Sequence, residues 1–243
     1  MIVSINQPAY LPWLGYFHRI AISDVHVILD HVQFEKNSFT NRNKIRTKEG
    51  WSLLTVPVQT KGKFGALQIN ELEIARNTNW QKKHKTSIML NYSKAPFFDE
   101  YFPFFESVYS KEWDKLSKLL NEINLYLLKC LGINKKILYS SQLDVMGQKS
   151  DLVLNICRKT EATTYLSGSL GRNYLQTDQF EQQHISICYH DYQHPVYKQV
   201  YKGFQPHMSI IDLLFNHGDK GLEILGGSMA SKREAHDLLG DHV

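Results

Sequence analysis

Short apolar segments that alternate with helical segments at both ends of the chain constrain its fold more than any other feature. At the amino end, residues 1–6 and 25–29 have the composition of buried strands, and residues 13–22 between them are predicted to be helical. A strand, a helix and a second strand in this order are typical of a parallel sheet covered by helices. Further strands are predicted at residues 136–140, 163–166 and 184–189.

The middle of the chain, residues 78–131, is predicted to be a helical insert. Its strongest signal lies at residues 113–131, where leucine and isoleucine recur at three- and four-residue steps up to Gly132. Additional helices are predicted at residues 80–92 and 98–109, from Ser150 as a cap, and at 209–216 with Gly218 as the stop. Strands at 52–58 and 67–74 with a connection containing Gly62 and Gly65, and a long loop at 35–50, complete the prediction.

These elements predict an α/β fold with a partly parallel sheet, compatible with a HUP- or Rossmann-type arrangement. One domain is expected at residues 1–225, with the helical insert at 78–131 and a tail at 226–243. A chain of 243 residues can bury a sizeable core without disulfides or metal.

Charge and cysteine content exclude several functional classes. The formal net charge of +4 is too small for a typical nucleic-acid-binding protein. Cys130, Cys157 and Cys188 are odd in number and widely spaced, which fits a reducing compartment. The first ten residues lack the pattern of a signal peptide, and no run of about 18 apolar residues occurs. We therefore expect a cytoplasmic protein with no membrane span and no nucleic-acid partner.

The first group of candidate functional residues follows the first predicted strand. Gln7 offers an amide, Tyr10 and Tyr16 offer hydroxyls, and Trp13 offers a ring. Ligands of open α/β sheets bind at the carboxyl ends of strands beside helix N-termini, so this position suits substrate binding. The alternative interpretation is that the prolines and Trp13 of this segment merely fix and pack a turn.

The second group follows the second core strand and is rich in cations. From residue 36 to residue 48 there are five cations and no carboxylate. Arginine forks suit phosphate or carboxylate, although such a run of charge is usually a solvated face. The asparagine and aromatic residues between the cations favour a ligand-binding loop. A nucleotide-linked sugar fits this short patch better than DNA does. Asp30 is the catalytic candidate here, and the substrate-binding candidates are Gln33, Lys36, Asn41, Arg42, Asn43 and Arg46.

Three further groups lie in the second half of the chain. A loop with Ser167 and Gly168 follows a strand and could offer backbone N–H groups to an anion, or be a plain turn. His190 and His194 lie four residues apart, but Pro195 prevents a continuing helix, so we expect a general base or structural histidines and no metal.

The last group begins near Tyr197, a candidate binding residue, and ends near Asn216, another. Between them, Ser209 and Asp212 have the spacing of a capping box, which favours a structural role for the carboxyl group.

Five longer strings together resemble the WbqC-like protein family. They are QPAYLPWLGYF, DHVQFEKNSFTNRNKIR, LTVPV, YLSGSLGRNYL and HPVYKQVYKGFQPHMSIIDLLFNHG, in the family's order and spanning residues 2 to about 225. The resemblance implies a role in bacterial O-antigen or other surface-glycan biosynthesis. It further implies N-acyl or aminoacyl transfer to a 4-amino-dideoxy sugar.

A second similarity bears on the fold. The first strand, the W-L-G-Y turn, the helix and S-D-V-H-V-I-L-D are similar to the start of HUP-type nucleotidyltransferases. Trp13 and Tyr16 stand where that family carries the two histidines of H-x-G-H, and only Gly15 matches. Because those histidines stabilise phosphate charge, adenylyl transfer is not implied, whereas a nucleotide-binding cleft is compatible.

The leading hypothesis is therefore an enzyme that acylates the amine of a nucleotide-linked sugar, using an acyl donor that arrives as a carrier thioester or adenylate. Lys36, Arg42 and Arg46 would hold the diphosphate. Tyr10, Trp13 and Tyr16 would line the sugar or base pocket. His190 or His194 would accept the amine proton, and no cofactor is expected.

A glycosyltransferase and a non-catalytic sugar-nucleotide-binding protein are the alternatives. We further expect one pocket to be bordered by Gln7, Tyr10, Arg42, Arg46, His194 and Asn216.

Overall fold

A five-stranded parallel sheet forms the centre of the structure, a computed structural model that describes residues 1–60 and 67–226. The strands are β1 (Ile2–Asn6), β2 (Val25–Ile28), β3 (Arg42–Thr47), β4 (Gly50–Thr55), β5 (Lys136–Tyr139), β6 (Thr164–Gly168) and β7 (Ser186–His190). The parallel sheet has the order β5-β2-β1-β6-β7, and β3 and β4 form a separate antiparallel hairpin. The predicted α/β class with a parallel sheet is confirmed.

The helices are α1 (Leu14–Ala21), α2 (Trp80–Tyr92), α3 (Phe98–Ser110), α4 (Leu116–Cys130), α5 (Lys149–Lys159), α6 (Thr177–Glu181), α7 (Ile210–His217) and α8 (Gly221–Gly226). The predicted helical insert corresponds to α2, α3 and α4. Their buried side chains share one continuous core with α1, α7 and the β3–β4 hairpin. Among the described residues, no helix combines the length and the apolarity needed to cross a membrane.

The order in which successive strands are added to the sheet reverses between β1 and β6, although all five strands are parallel. From β1 the chain moves to β2 and β5 on one side, then crosses over to β6 and β7 on the other. Counted among themselves, the five strands follow the order 3-2-1-4-5, as in doubly wound sheets. In such sheets the ligand crevice lies outside the carboxyl ends of the strands at the point of reversal.

The two faces of the parallel sheet differ in polarity. One face presents Val3, Ile5 and Val27 to α5 and α6, which cover it with apolar side chains. The face under α1 instead carries buried polar residues, with Ser4 and His26 joined by a hydrogen bond of 2.8 Å between Oγ and Nδ1. A parallel sheet covered by helices is normally apolar on both faces, so the polar face under α1 is unusual.

Three local predictions are wrong, each for a tertiary reason. Residues 35–50 are not one loop, because β3 pairs with β4 and buries Asn43 and Ile45. Residues 67–74 form a 3-10 turn at Ile69–Glu71 with only isolated bridges on either side. Ser150 does not cap α5, since its Oγ accepts a hydrogen bond of 2.9 Å from the backbone N–H of Gln176. The predicted connection through Gly62 and Gly65 and the residues after 226 lie outside the described residues.

Candidate functional site

The point where the sheet reverses is built from the ends of three adjacent strands. Asn6 ends β1, Gly168 ends β6 and His190 ends β7. In the parallel register, Gly168 pairs with His190. The helix α1 follows β1 after a short turn and packs on the polar face of the sheet, so its side chains meet these strand ends.

Arg19 brings a guanidinium to this position from the second turn of α1. Side chains of a helix lean toward its N-terminus, which here is the carboxyl edge of the sheet. The Nη2 atom of Arg19 donates a hydrogen bond to Oδ1 of Asn6. The guanidinium also lies against Gly168, where a Cβ atom would overlap Nη1. Only glycine leaves this space at the end of β6.

The charge of Arg19 has no acidic partner within the part of the chain that the structure describes. Every described salt bridge involves other residues, and Nε of Arg19 is buried with no hydrogen-bond partner among the described residues. Burial lowers the pKa of Arg19, and nearby phenols such as Tyr165 oppose this. A buried charge of this kind costs free energy unless it is paired. Phosphate and carboxylate are the groups whose geometry matches the guanidinium fork.

Two histidines lie beside Arg19 and contact each other. Nδ1 of His18 and Nε2 of His190 are 2.7 Å apart, and the two rings stack with centroids separated by 5.0 Å. Burial lowers the pKa of His18 to about 4. Burial, together with the charges of His18 and Arg19, lowers the pKa of His190 to about 3. Both rings are therefore neutral near pH 7, and one N–H donates to the lone pair of the other.

The arrangement combines a buried cation with neutral imidazoles at a ligand-binding position of the fold. The guanidinium can hold an anionic group, and a neutral imidazole can accept a proton from a bound substrate. Within residues 1–60 and 67–226, no group of three or more His, Cys, Asp or Glu side chains could hold a metal ion.

The three predicted catalytic residues occupy different environments. His190 belongs to the site just described. His194 uses both ring nitrogens, with Nδ1 2.8 Å from the carbonyl oxygen of Pro195 and Nε2 accepting from the backbone N–H of His207 at 3.2 Å. The carboxylate of Asp30 accepts hydrogen bonds from Ser140 Oγ, Ser141 N and Ser141 Oγ at 3.0, 2.9 and 2.7 Å. Asp30 thus joins the end of β2 to the turn after β5.

The candidates from the first turn are also separated. Gln7 is exposed. Tyr10 is fully buried, and its hydroxyl lies 2.8 Å from Nδ1 of His84 and 2.5 Å from the hydroxyl of Tyr109. Trp13 is half-buried and contacts the rings of Tyr192 and His207, whereas Tyr16 packs against His26 under α1.

The basic segment mainly holds irregular backbone in place. Arg46 is buried and donates hydrogen bonds to the carbonyl oxygens of Thr47, Gly50 and Lys202. Arg42 donates to Asn37. The side-chain amides of Asn41 and Asn43 donate to the carbonyl oxygens of Val56 and Leu11 at 2.8 and 2.7 Å, whereas Gln33 and Lys36 lie at the exposed surface.

Asp212 is buried but does not form the predicted capping box. Its Oδ2 accepts hydrogen bonds of 2.8 Å from Tyr197 Oη and from Gln199 Nε2. The amide of Asn216 donates to the carbonyl oxygen of Asp212 at 2.7 Å. Ser209 does cap α7, as predicted, because its Oγ accepts from the N–H of Ile211. The capping geometry fails because the carboxylate is held by the preceding loop.

The structure therefore brings only part of the predicted set together. Gly168 and His190 meet at the strand ends, and Ser167 is their neighbour, with Oγ donating to the carbonyl oxygen of Gly168 at 3.0 Å. The six residues expected to border one pocket have separate surroundings, and no hydrogen bond found among the described residues joins two of them. Their roles in ligand binding stay predictions.

Asn6, His18 and Arg19 were not among the residues predicted from the sequence. A signal was present in the strands, because β1 alternates apolar residues with Ser4 and Asn6. In a parallel strand covered on both faces, such alternation indicates a polar inner face. Arg19 itself gave no signal, since one arginine in an eight-residue helix is ordinary.

Comparison with known proteins gives two matches and one negative result. Residues 7–224 match the WbqC-like protein family. The chain is 36% identical over 225 residues to a protein named "Uncharacterized protein Rv1507c" from Mycobacterium tuberculosis, and the match covers 92% of this chain and 96% of that protein. No solved structure matches.

Proposed function

The chain belongs to the WbqC-like protein family, and on that premise we propose that it is an enzyme of bacterial surface-glycan biosynthesis. Membership of this family suggests a glycan-related role. In the proposed reaction the enzyme transfers an acyl or aminoacyl group to the amine of a nucleotide-linked amino-dideoxy sugar. The acyl donor is a carrier thioester or an adenylate.

The buried guanidinium of Arg19 at the reversal of the sheet is the observation that carries the proposal. A sugar nucleotide presents a diphosphate, and a diphosphate oxygen pair can accept two hydrogen bonds from one guanidinium. Doubly wound sheets bind nucleotides at this same position. Arg42 and Arg46 are less suited to the task, because Arg46 already donates to three backbone carbonyls and Arg42 to Asn37.

His190 supplies the base that amine acylation needs. An amine attacks a carbonyl carbon only in its neutral form and must lose a proton as the amide forms. His190 is neutral near pH 7 and lies beside Arg19, so it has a lone pair free for that proton close to the bound diphosphate. Because burial lowers its pKa to about 3, it is a weak base that holds the proton only in passing. His194 is less suited, since both its nitrogens are hydrogen-bonded to backbone.

Calorimetric titration with nucleoside-diphosphate-linked 4-amino sugars tests the binding site. The variant Arg19→Lys keeps the charge but loses the planar fork, and we expect its Kd to rise about tenfold or more. Arg158→Lys is the matched control, because Arg158 is exposed on α5 at the opposite face of the sheet. Equal affinities in the two variants would place the diphosphate elsewhere, provided that both melt near the wild-type temperature.

Product analysis then tests the reaction. Incubation with an aminoacyl thioester or adenylate and the amino sugar nucleotide is expected to give an N-acylated sugar nucleotide and the free carrier. Release of nucleoside diphosphate would instead indicate a glycosyltransferase. Tight binding without any product from either donor class would indicate a sugar-nucleotide-binding protein.

A further inference from the structure

A cavity of about 230 Å³ has His18 in its wall, whereas His190 is not among the residues that line it. His18 therefore borders the cavity and also contacts the histidine at the strand ends. At about 30 Å³ for each water molecule, the volume is sufficient for several waters. Its wall also includes Ala21, Ile22, Asn134, Lys135 and Leu222.

We propose that His190 and His18 form a proton relay between the bound amine and water in this cavity. The proposal rests on the transfer reaction proposed above and adds His18 to its machinery. Its geometric basis is the 2.7 Å separation of His190 Nε2 from His18 Nδ1. This contact leaves Nδ1 of His190 and Nε2 of His18 as the outer nitrogens of the pair, and neither has a hydrogen-bond partner among the described residues.

The relay moves one proton through three transfers while the acyl group is transferred. The amine nitrogen attacks the acyl carbon, a C–N bond forms, and the electron pair of the broken bond leaves with the carrier. The amine proton goes to Nδ1 of His190, the proton on its Nε2 goes to Nδ1 of His18, and the proton on Nε2 of His18 passes through cavity water to the solvent. Protonation of the leaving carrier by His190 then draws the same three protons back and restores both tautomers.

The advantage of a relay over a single base follows from the charge of Arg19. A single histidine that took the proton would become an imidazolium beside an already buried guanidinium. Like charges at such a position repel, and burial penalises both. When the proton is passed on through water to the solvent, both rings stay neutral and the cation of Arg19 stays available to the diphosphate. Two histidines in direct contact are therefore suited to this site.

The tautomers of the two rings test the relay without any need for turnover. Long-range ¹H–¹⁵N spectra of the histidine-labelled protein near pH 7.5 report which nitrogen of each ring carries the proton. We expect protons on Nε2 of His190 and on Nε2 of His18, with the signals assigned from His190→Asn and His18→Asn. The opposite pair of tautomers would overturn the relay, because Nδ1 of His190 could then accept nothing.

The turnover rate gives the second test. It distinguishes a proton relay from a purely structural hydrogen bond that joins α1 to β7. In His18→Asn the amide oxygen can still accept from Nε2 of His190, but it cannot hand a proton on. We expect turnover to fall about 100-fold with KM for the sugar nucleotide unchanged. We also expect a solvent isotope effect that reports several protons in wild type and one proton in the variant.

His184→Asn is the matched control, since His184 is exposed and in the left-handed conformation that asparagine tolerates. If His18→Asn turns over like this control with an unchanged isotope effect, the relay is overturned although the transfer reaction stands. If the wild-type protein forms no acylated product at all, the transfer reaction is overturned, and the tautomers still decide whether the pair is arranged as a base.

Discussion

The guanidinium of Arg19 fills the space that a side chain at position 168 would occupy. Gly168 ends β6, and Arg19 reaches it from α1 across the end of β1, where it also contacts Asn6. The three residues come from separate segments, and their contact fixes where the buried cation lies. The position of the cation therefore depends on a residue that has no side chain.

Gly168→Ala should displace the guanidinium with little loss of stability. The atom that a Cβ would overlap is the far end of a flexible side chain, so Arg19 can swing away without disturbing the backbone. We expect a melting temperature near that of wild type and a Kd for the sugar nucleotide raised about tenfold or more. Ser169→Ala, at the exposed neighbouring position, is the control in the same titration. A Gly168→Ala variant that binds as tightly as this control would contradict the site.

Arg46→Ala should destabilise the protein, whereas Arg42→Ala should not. Removal of the buried Arg46 guanidinium leaves the carbonyl oxygens of Thr47, Gly50 and Lys202 without their donor. Loss of hydrogen bonds from a charged group costs about 1.5–3 kcal/mol. The side-chain hydrogen bonds found for Arg42 among the described residues go to the exposed loop residue Asn37, so its replacement should change the free energy of unfolding by about 0.5 kcal/mol or less. Urea denaturation of the two variants side by side decides this, and equal midpoints would show that Arg46 is not a structural clamp.

Tyr10→Phe should lower stability and leave ligand affinity unchanged. The substitution removes a hydroxyl that contacts His84 and Tyr109 in the fully buried core. Both partners would keep buried polar atoms without a hydrogen bond, at a cost of about 1–3 kcal/mol. Thermal denaturation measures the first effect and titration with the sugar nucleotide measures the second. Weaker binding with an unchanged melting temperature would instead support the pocket-lining role predicted from the sequence.

The buried histidine His26 should make the protein sensitive to mild acid. Burial, aided by the charge of Arg19, lowers its pKa from 6.5 to about 3. Between these two values the unfolded chain binds the proton and the folded chain does not. The contribution of His26 to stability is therefore complete above pH 6.5 and is lost as the pH falls toward its folded pKa, at about 1.4 kcal/mol per pH unit.

Urea denaturation curves between pH 7.5 and pH 4.5 test whether stability falls with decreasing pH as predicted. His26→Gln cannot titrate, so its free energy of unfolding should fall less steeply with decreasing pH than that of wild type. His184→Gln replaces an exposed histidine and should follow the wild-type curve. Parallel curves for all three proteins would mean that His26 is protonated as easily in the folded as in the unfolded state.

Local sequence patterns were sufficient for most of the regular structure. The helix predicted at residues 80–92 has the same bounds as α2. Its apolar residues Trp80, Ile88 and Tyr92 recur at helical spacing and are all buried, so the local pattern was sufficient to predict it. Ser209 and Gly218 delimit α7 as expected, since a hydroxyl cap and a positive φ act within a few residues of the chain. Helix boundaries that depend on residues a few positions away can therefore be predicted from the sequence.

The functional assignments of polar residues were less predictable for a physical reason. The sequence around Arg46 or Asn43 looks the same whether the side chain binds a ligand or a backbone carbonyl that is distant in the chain. The partner is set by the approach of segments far apart in the sequence, which a local pattern does not contain. The motifs that the sequence presents most clearly are therefore largely those that hold irregular loops.

The sequence by itself determined the α/β class, the strand and helix segments and the family. The tertiary structure alone decided which residues meet at the reversal of the sheet. Asn6, Arg19, Gly168 and His190 span more than 180 positions, and they converge because β1, β6 and β7 are neighbours with a common direction. This convergence also buries the guanidinium of Arg19. Burial strengthens its attraction to an anion, because water screens the interaction of exposed charges.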